Sequence, residues 1–173
     1  MSLPTETVKR AALLELANEI DAYPNWWRFP EQQPIRGFLG ASSIVIVGDQ
    51  PSTSSWPELH PSRIAFYGTL QKVGASDAHL TDLYKKRGRS SELRNGLPDD
   101  FAKHVLFFRR EVEILKPTRV VAVGTLAYDL LFEHFAELRP ILGRMWHFSY
   151  VVRKAILHLY EADMRKAIWK TQT

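Results

Sequence analysis

The sequence contains no cysteine, and this absence excludes several kinds of chemistry. None of its 173 residues carries a thiol that could form a disulfide, act as a nucleophile, or hold a zinc ion or an iron–sulfur cluster. Long hydrophobic runs are missing too, because stretches such as Ile44–Val47 are far shorter than the roughly 20 apolar residues of a membrane-spanning helix. The N-terminus carries Glu6 and Glu15 in a helical pattern, which is unlike a signal peptide. We therefore expect a soluble, cytoplasmic protein with no membrane partner.

Motifs that indicate a cofactor or a catalytic nucleophile are also missing. The chain has no Gly-x-Gly-x-x-Gly, no Gly-x-x-x-x-Gly-Lys-Ser/Thr and no Gly-x-Ser-x-Gly. It has no His-Glu-x-x-His pattern either, and its six histidines are scattered at positions 60, 79, 104, 134, 147 and 158. The sequence therefore predicts neither a metal ion nor a cofactor.

The composition is that of a globular domain. Apolar residues make up 45% and charged residues 24% of the chain, and a chain of this size can bury about 70% of the surface that its unfolded form exposes. Lys and Arg number 23 against 19 Asp and Glu, which gives a net charge of +4. This excess mildly favours a polyanionic partner. We expect one domain over residues 1–173, in which 1–42 form an N-terminal helix and an irregular extension packed on it.

Helix and strand patterns alternate along the chain. Amphipathic patterns predict helices at 5–21, 62–73, 101–115, 126–135 and 153–169. Short apolar, β-branched runs predict strands at 43–48, 78–84, 118–123 and 144–150. The polar residues 85–100 are interpreted as a solvated loop. This alternation indicates an α/β protein, a three-layer α/β/α sandwich around a mainly parallel four-stranded sheet.

Chemically useful residues lie at the carboxyl edge of the predicted sheet. Ligands of open parallel sheets bind beyond the carboxyl ends of the strands, so the candidate segments are 48–52, 81–82, 124–125 and 147–150. They offer the carboxylates of Asp49 and Asp82, one imidazole, and a cluster of hydroxyls at 52–55 that could hold phosphate. Ser, Thr and Pro are also common in ordinary loops, so this cluster by itself indicates no function.

Five segments carry motifs in a recognisable order: Ile44–Pro51, Phe66–Gly68, Leu80–Lys85, Leu115–Gly124 and His147–Arg153. Together they resemble the uracil-DNA glycosylase superfamily, most closely the branch that carries an iron–sulfur cluster. That branch has Gly-Glu-Ala-Pro-Gly, Pro-Phe-Val-Gly, Ile-Thr-Asn-Val-Val-Lys, Lys-Pro-x-x-Ile-Val-x-Leu-Gly and His-Pro-Ser-Tyr-Leu-Leu-Arg. The resemblance covers residues 43–170, roughly three quarters of the chain. Each motif alone is weak, whereas five in order are fairly specific for the fold.

The resemblance implies an enzyme that flips a base out of the DNA stack and hydrolyses the bond joining it to the sugar. The base leaves as an anion and the sugar becomes cation-like, so both charges need stabilisation. By resemblance, His147 would stabilise the leaving base at its O2 and Phe66 would stack on that base. Asp49 would orient water or stabilise the sugar cation. Gln50 stands where the best-known branch has its water-activating Asp.

The resemblance also implies contacts with DNA, single- or double-stranded, bound by a monomer. Ser52 and Ser149 would grip phosphates, and Arg153 would probe the gap left by the flipped base. Lys85 opens the basic run 85–89 on the same edge of the sheet, where it is either a phosphate contact or part of a solvated loop.

Departures from the family pattern argue against plain uracil as the substrate. Gln50 cannot accept a proton, although its carbonyl can orient a water. Asp82 replaces the Asn that reads uracil; a carboxylate only accepts hydrogen bonds and would suit a base with an amino group, whereas protonation of Asp82 would restore a donor. Phe148 replaces the Pro of His-Pro-Ser, and the cysteines that hold the cluster are missing.

Three functions therefore stay open. The favoured one is a DNA base-excision glycosylase; the second is a nucleic-acid-binding protein that has lost turnover, which Gln50 and Asp82 favour. The third is a hydrolase of free nucleosides or nucleotides on the same scaffold. His147 and Phe66 also have an ordinary interpretation as core residues. Release of a free base separates the first function from the second, and steep salt dependence of binding separates both from the third.

Overall fold

The structure, a computed structural model, describes residues 5–27, 40, 42–53, 57 and 59–169. Within these ranges it has four strands: β1 (Ile44–Gly48), β2 (His79–Asp82), β3 (Arg119–Val123) and β4 (Leu142–Met145). Its α-helices there are α1 (Glu6–Asp21), α2 (Pro61–Lys72), α3 (Ser90–Asn95), α4 (Phe101–Leu115), α5 (Gly124–His134), α6 (Phe148–Arg153) and α7 (Leu157–Trp169). A short 3-10 helix, Ala136–Ile141, leads into β4.

The strands form one four-stranded sheet, in the order β2-β1-β3-β4, and every neighbouring pair is parallel. β1 is buried on both faces. Val45 and Val47 pack into the core shared with α1, α4 and α5, whereas Ile44 and Ile46 pack into the core shared with α2, α6 and α7. The helices thus cover both faces of the sheet, which confirms the predicted three-layer α/β/α architecture.

Local signals explain where several helices begin and end. Thr5 caps α1, because its Oγ1 accepts a hydrogen bond from the Val8 N–H at 3.5 Å. α2 is followed closely by Gly74, whose φ of +74° suits a residue without a side chain. α4 ends at Leu115, where Lys116 takes the left-handed conformation and Pro117 cannot continue the helix.

The predicted strand 144–150 is wrong in position. β4 begins at Leu142 and ends at Met145, and α6 follows almost at once. His147 caps that helix, since its Nδ1 accepts a hydrogen bond from the Ser149 N–H at 3.2 Å. Beyond the predicted strand, α6 continues to Arg153, and its Val151 is fully buried in the core that contains α2 and α7.

The loop predicted at 85–100 contains the short helix α3. Glu92 accepts a hydrogen bond from the Arg89 N–H at 3.0 Å, and Leu93 is buried. The predicted strand 78–84 shortens to β2, although the N–H groups of Leu83 and Tyr84 still donate to the carbonyls of Gly48 and Asp49.

The N-terminal region contributes α1, which packs against α4, and a short segment after it. In that segment Trp26 stacks on His104 with ring centroids 3.9 Å apart. Residues 28–39 and 41, which make up most of the predicted extension, lie outside the described residues. Within the described part of the chain, no helix combines the length and the apolar character needed to cross a bilayer.

Candidate functional site

The register of β1 and β2 brings two carboxyl groups together at the carboxyl edge of the sheet. Gly48 pairs with Asp82, and the chain continues the pairing beyond the strands through Leu83 N to Gly48 O (3.0 Å) and Tyr84 N to Asp49 O (2.9 Å). A Cβ at position 48 would lie 2.1 Å from Asp82 Oδ1. The absence of a side chain at Gly48 therefore makes room for the Asp82 carboxyl at the end of its strand.

A cavity of about 320 Å³ opens at this edge. It collects seven of the nine site residues predicted from sequence: Asp49, Gln50, Ser52, Phe66, Asp82, His147 and Ser149. These residues come from the ends of three strands and from α2, so the fold brings together positions that are almost 100 residues apart. Ser54 and Ser55 of the predicted hydroxyl cluster lie outside the described residues.

His147 is held by its own helix turn. Its Nδ1 lies 2.7 Å from Ser149 Oγ and accepts a hydrogen bond from the Ser149 N–H. Burial lowers the pKa of the His147 imidazole, and Asp49 opposes this effect. A neutral ring whose Nδ1 is an acceptor carries its proton on Nε2. His147 therefore offers the cavity an uncharged N–H donor.

Gly124 allows the close approach of His147 to the end of β3. A Cβ at this position would lie 3.1 Å from His147 Cβ, and Gly124 has a φ of +87°. Both the space and the backbone conformation favour glycine here.

One wall of the cavity is aromatic. Phe66 on α2 is fully buried, and its ring centroid lies 5.6 Å from that of Phe148. Phe148 in turn lies 4.1 Å from the His147 ring. The sequence analysis noted only that Phe148 replaces the Pro of a family motif and did not predict it as a site residue. Its place next to His147 in the sequence was the signal that could have identified it.

Asp49 and Asp82 are both 4% exposed. The Oδ2 atom of each has no hydrogen-bond partner among the described residues. Burial, and after it the charge of Asp49, raises the pKa of Asp82 to about 8. Asp82 is thus mostly neutral near pH 7, and it keeps both a donor and an acceptor.

Gln50 lies under the loop that follows β2. A Cβ at position 88 would lie 3.0 Å from Gln50 Oε1, and the Gly88 N–H donates to the Pro51 carbonyl at 3.2 Å. Arg87 reaches the same chain segment and donates to the Ser52 carbonyl at 2.6 Å. The loop after β2 therefore closes over the loop after β1 and confines the Gln50 amide.

Lys85 is placed away from the cavity, in the interior. Only 1% of its surface is exposed, and its Nζ donates to Thr81 Oγ1 (2.9 Å), the Asp82 carbonyl (2.7 Å) and Glu111 Oε1 (2.6 Å). The predicted phosphate contact is not available in this position, because a buried carboxylate holds the ammonium group. A charged residue at position 111, on the apolar face of α4, was a sequence signal for a buried ion pair, although it did not identify Lys85 as the partner.

Arg153 lies beside a second, adjoining cavity of about 510 Å³. This cavity shares Asp49, His147 and Ser149 with the first one. Its rim is basic and aromatic, with the side chains of Arg94, Arg144, Arg153, Trp146 and Tyr150. Sequence reasoning missed Arg94, because residues 85–100 had the composition of a solvated loop.

Among the described residues no three His, Asp or Glu side chains are grouped to hold a metal ion. The iron–sulfur cluster of the resembled branch does not fit this chain, since it has no cysteine to ligate iron.

The fold and the cavities define an α/β/α protein with a concave, partly charged site at the carboxyl edge of a parallel sheet. Neither a scan against protein-family models nor a search of curated proteins found a match for this chain.

Proposed function

We propose that this protein is a DNA base-excision glycosylase, which hydrolyses the N-glycosidic bond of a base flipped into the 320 Å³ cavity. The observation that carries the proposal is the position of His147 in this cavity, where its Nδ1 accepts a hydrogen bond from the Ser149 N–H and leaves Nε2–H as the donor of the neutral ring. This donor shares a cavity with an aromatic wall and with the Asp49 carboxyl group. These are the groups that the reaction needs for its leaving base and its sugar.

The base leaves with the electron pair of its bond to the sugar. A neutral imidazole N–H can stabilise the resulting negative charge on a base carbonyl without transferring its proton first. The Phe66 and Phe148 rings supply an apolar surface for the flat base and exclude water around it.

We assign the stabilisation of the sugar and the handling of the attacking water to Asp49 and Gln50. Asp49 lines both cavities, as expected of a group placed between the base and the nucleic-acid chain. Its carboxylate can stabilise positive charge on the sugar and take the proton that water loses as its oxygen bonds to the sugar carbon. The Gln50 carbonyl can orient that water but cannot take the proton.

The second cavity supports a polyanionic partner. Arg94, Arg144 and Arg153 surround it, and each can contact a phosphate. Trp146 is 36% exposed and Tyr150 is 40% exposed, so both rings are accessible for stacking with bases. A DNA strand laid in this cavity would deliver one nucleotide to the first cavity.

The proposal is tested by assaying base release from single- and double-stranded oligonucleotides. Uracil, hypoxanthine, xanthine, cytosine and a mismatched base are compared, with alkaline strand cleavage as the readout. We expect release of at least one base, and a loss of about 100- to 1,000-fold in His147→Ala, because that variant lacks one donor to the leaving group. Asp49→Asn should also lose most activity. His158→Ala, an exposed histidine on α7, is the matched control and should keep full activity.

A nucleic-acid-binding protein without turnover is the alternative function. The observation that favours it is Gln50, which occupies a confined position in the cavity but cannot act as a base. No base release from any substrate, together with binding that weakens steeply with salt, would replace the glycosylase with this alternative. Salt-independent binding of free nucleosides would instead indicate a small-molecule hydrolase.

A further inference from the structure

Asp82 lies in the cavity wall, where its carboxyl group can form hydrogen bonds with a ligand. It ends β2, lines the first cavity and is 4% exposed. Its Oδ1 lies over Gly48, while its buried Oδ2 has no partner in the described part of the chain. A buried carboxyl oxygen without a hydrogen bond is costly, and a ligand that supplies the missing bond would relieve that cost.

The groups that face Asp82 do not favour its charged form. Asp49, after β1, and Glu111, on α4, both repel a charge on Asp82, whereas Lys85 attracts it. Lys85 is already engaged with Glu111 at 2.6 Å. Tyr67, on α2, also senses the Asp82 charge, and burial keeps this phenol neutral by raising its pKa. With burial, this set of neighbours leaves Asp82 protonated near neutral pH.

A neutral carboxyl and a carboxylate recognise different base edges. The neutral group has one O–H donor beside one acceptor, so it can form two parallel hydrogen bonds with a lactam edge, an N–H beside a C=O. The carboxylate has only acceptors and would face the lactam carbonyl with repulsion. His147 is neutral in the same cavity and adds no cation to hold Asp82 in its charged form.

We propose that Asp82 is a specificity residue that works in its protonated form, so that the cavity takes a base with a lactam edge only while Asp82 keeps its proton. This inference rests on the proposed function. It makes recognition of the base dependent on pH, with loss on the alkaline side. The bases of this class include uracil, hypoxanthine and xanthine.

The direct experiment compares the wild type with Asp82→Asn between pH 6 and pH 10. An amide has the same donor and acceptor as the neutral carboxyl but does not titrate. For uracil and hypoxanthine in single-stranded DNA, we expect the wild-type rate divided by the Asp82→Asn rate to fall about tenfold for each pH unit above 8. Ionisation of the base at alkaline pH affects both proteins and cancels in this ratio. A ratio that is constant across the range would overturn the inference.

Two further measurements separate this inference from the proposed function. Binding of an oligonucleotide with a non-cleavable 2′-fluoro nucleotide of uracil, followed by fluorescence anisotropy, should show the same fall above pH 8 in the wild-type affinity divided by the Asp82→Asn affinity. This readout needs no turnover. Absence of base release with pH-dependent binding would contradict the glycosylase only, whereas base release with pH-independent binding would contradict the role of Asp82. Asp129→Asn, an exposed carboxylate on α5, is the matched control and should follow the wild-type profile.

Discussion

Two buried carboxyl groups, Glu111 and Asp82, both lie near Lys85, and their pKa values are shifted in opposite directions. Glu111 is fully buried, and it has Lys85 Nζ at 2.6 Å and His79 Nε2 at 3.3 Å. Burial alone would raise its pKa, but Lys85 and His79 lower the pKa of Glu111 below its ordinary value. Burial, and after it the charge of Asp49, raises the pKa of Asp82 to about 8, and Lys85 offsets only part of this effect. The lysine donates to the backbone carbonyl of Asp82, not to its carboxyl group.

The difference between the two groups indicates a structural role for Glu111 and, under the proposed function, a ligand-binding role for Asp82. Glu111 has its hydrogen-bonding capacity used inside the protein, which is how folded proteins accommodate a buried charge. Asp82 keeps an unpaired oxygen beside a cavity. Residues that recognise or transform ligands are those whose bonding capacity the fold leaves unused. The same lysine thus holds β2 in place through one carboxylate and leaves the other group available.

Removing Lys85 from its ion pair with Glu111 should have the largest effect on stability. Lys85→Met keeps the length of the side chain but leaves Glu111 buried without its cation. We expect a loss of about 3–5 kcal/mol in the free energy of unfolding, because an uncompensated buried charge is strongly destabilising. Urea unfolding at pH 7 measures it. Lys166→Met, an exposed lysine on α7, is the control.

If Lys85→Met loses less than about 1 kcal/mol in the free energy of unfolding, water or His79 stabilises the buried charge of Glu111 without the lysine. The double variant Lys85→Met/Glu111→Gln sharpens this point. Removing both charges should recover part of the stability, because the isolated carboxylate is then gone.

The second prediction concerns the pH dependence of stability. The pKa of Asp82 is higher in the folded protein than in the unfolded chain, so between about pH 4 and pH 8 the folded state holds a proton that the unfolded state has released. Asp82 therefore lowers stability progressively as pH rises through this window. Asp82→Asn removes the effect, so its stability relative to the wild type should be nearly equal at pH 4 and rise by up to about 1.4 kcal/mol per pH unit from there to pH 8. Thermal unfolding of both proteins across this range measures the difference.

Equal pH dependence of stability in the wild type and Asp82→Asn would contradict the second prediction. Glu111 works in the opposite direction, because its lowered pKa contributes stability above its unfolded value that is lost in acid. Glu111 therefore acts in acid. Between pH 4 and pH 8 the difference between the wild type and Asp82→Asn reports on Asp82, because groups such as His104 and His147, whose pKa values burial lowers, affect both proteins alike.

Sequence patterns predicted most of the fold because the relevant signals are local. The apolar run at β1 and the helical spacing in α4 identify their elements without reference to the rest of the chain. The strand predicted at 144–150 was wrong after Met145 for a physical reason. Trp146, Phe148 and Tyr150 are aromatic residues of a kind common in strands, whereas the hydrogen bond from the Ser149 N–H to His147 Nδ1 caps a helix there.

The site was predictable where it follows strand ends and unpredictable where it depends on long-range pairing. Asp49 follows a predicted strand, and Asp82 and His147 lie at or beyond the middle of two others, so the parallel sheet places them at one edge. The partner of Lys85 is Glu111, 26 residues further along the chain, and no local pattern gives that distance. Hence the sequence suggested a phosphate contact for a lysine that is buried.

Thr81→Val should have the smallest of these effects, and it tests whether Lys85 is fixed by more than its ion pair. The substitution keeps the shape of a β-branched side chain and removes the hydroxyl that accepts from Lys85 Nζ at 2.9 Å. Lys85 would retain Glu111 and the Asp82 carbonyl, so we expect a loss of only about 1–2 kcal/mol in the free energy of unfolding, measured by urea titration. Because β2 ends one residue later, a shift of Lys85 would also change the environment of Asp82. If base release falls above the same pH in Thr81→Val as in the wild type, the ion pair alone fixes Lys85. If that pH differs between the two proteins, the position of the Lys85 ammonium group influences the pKa of Asp82.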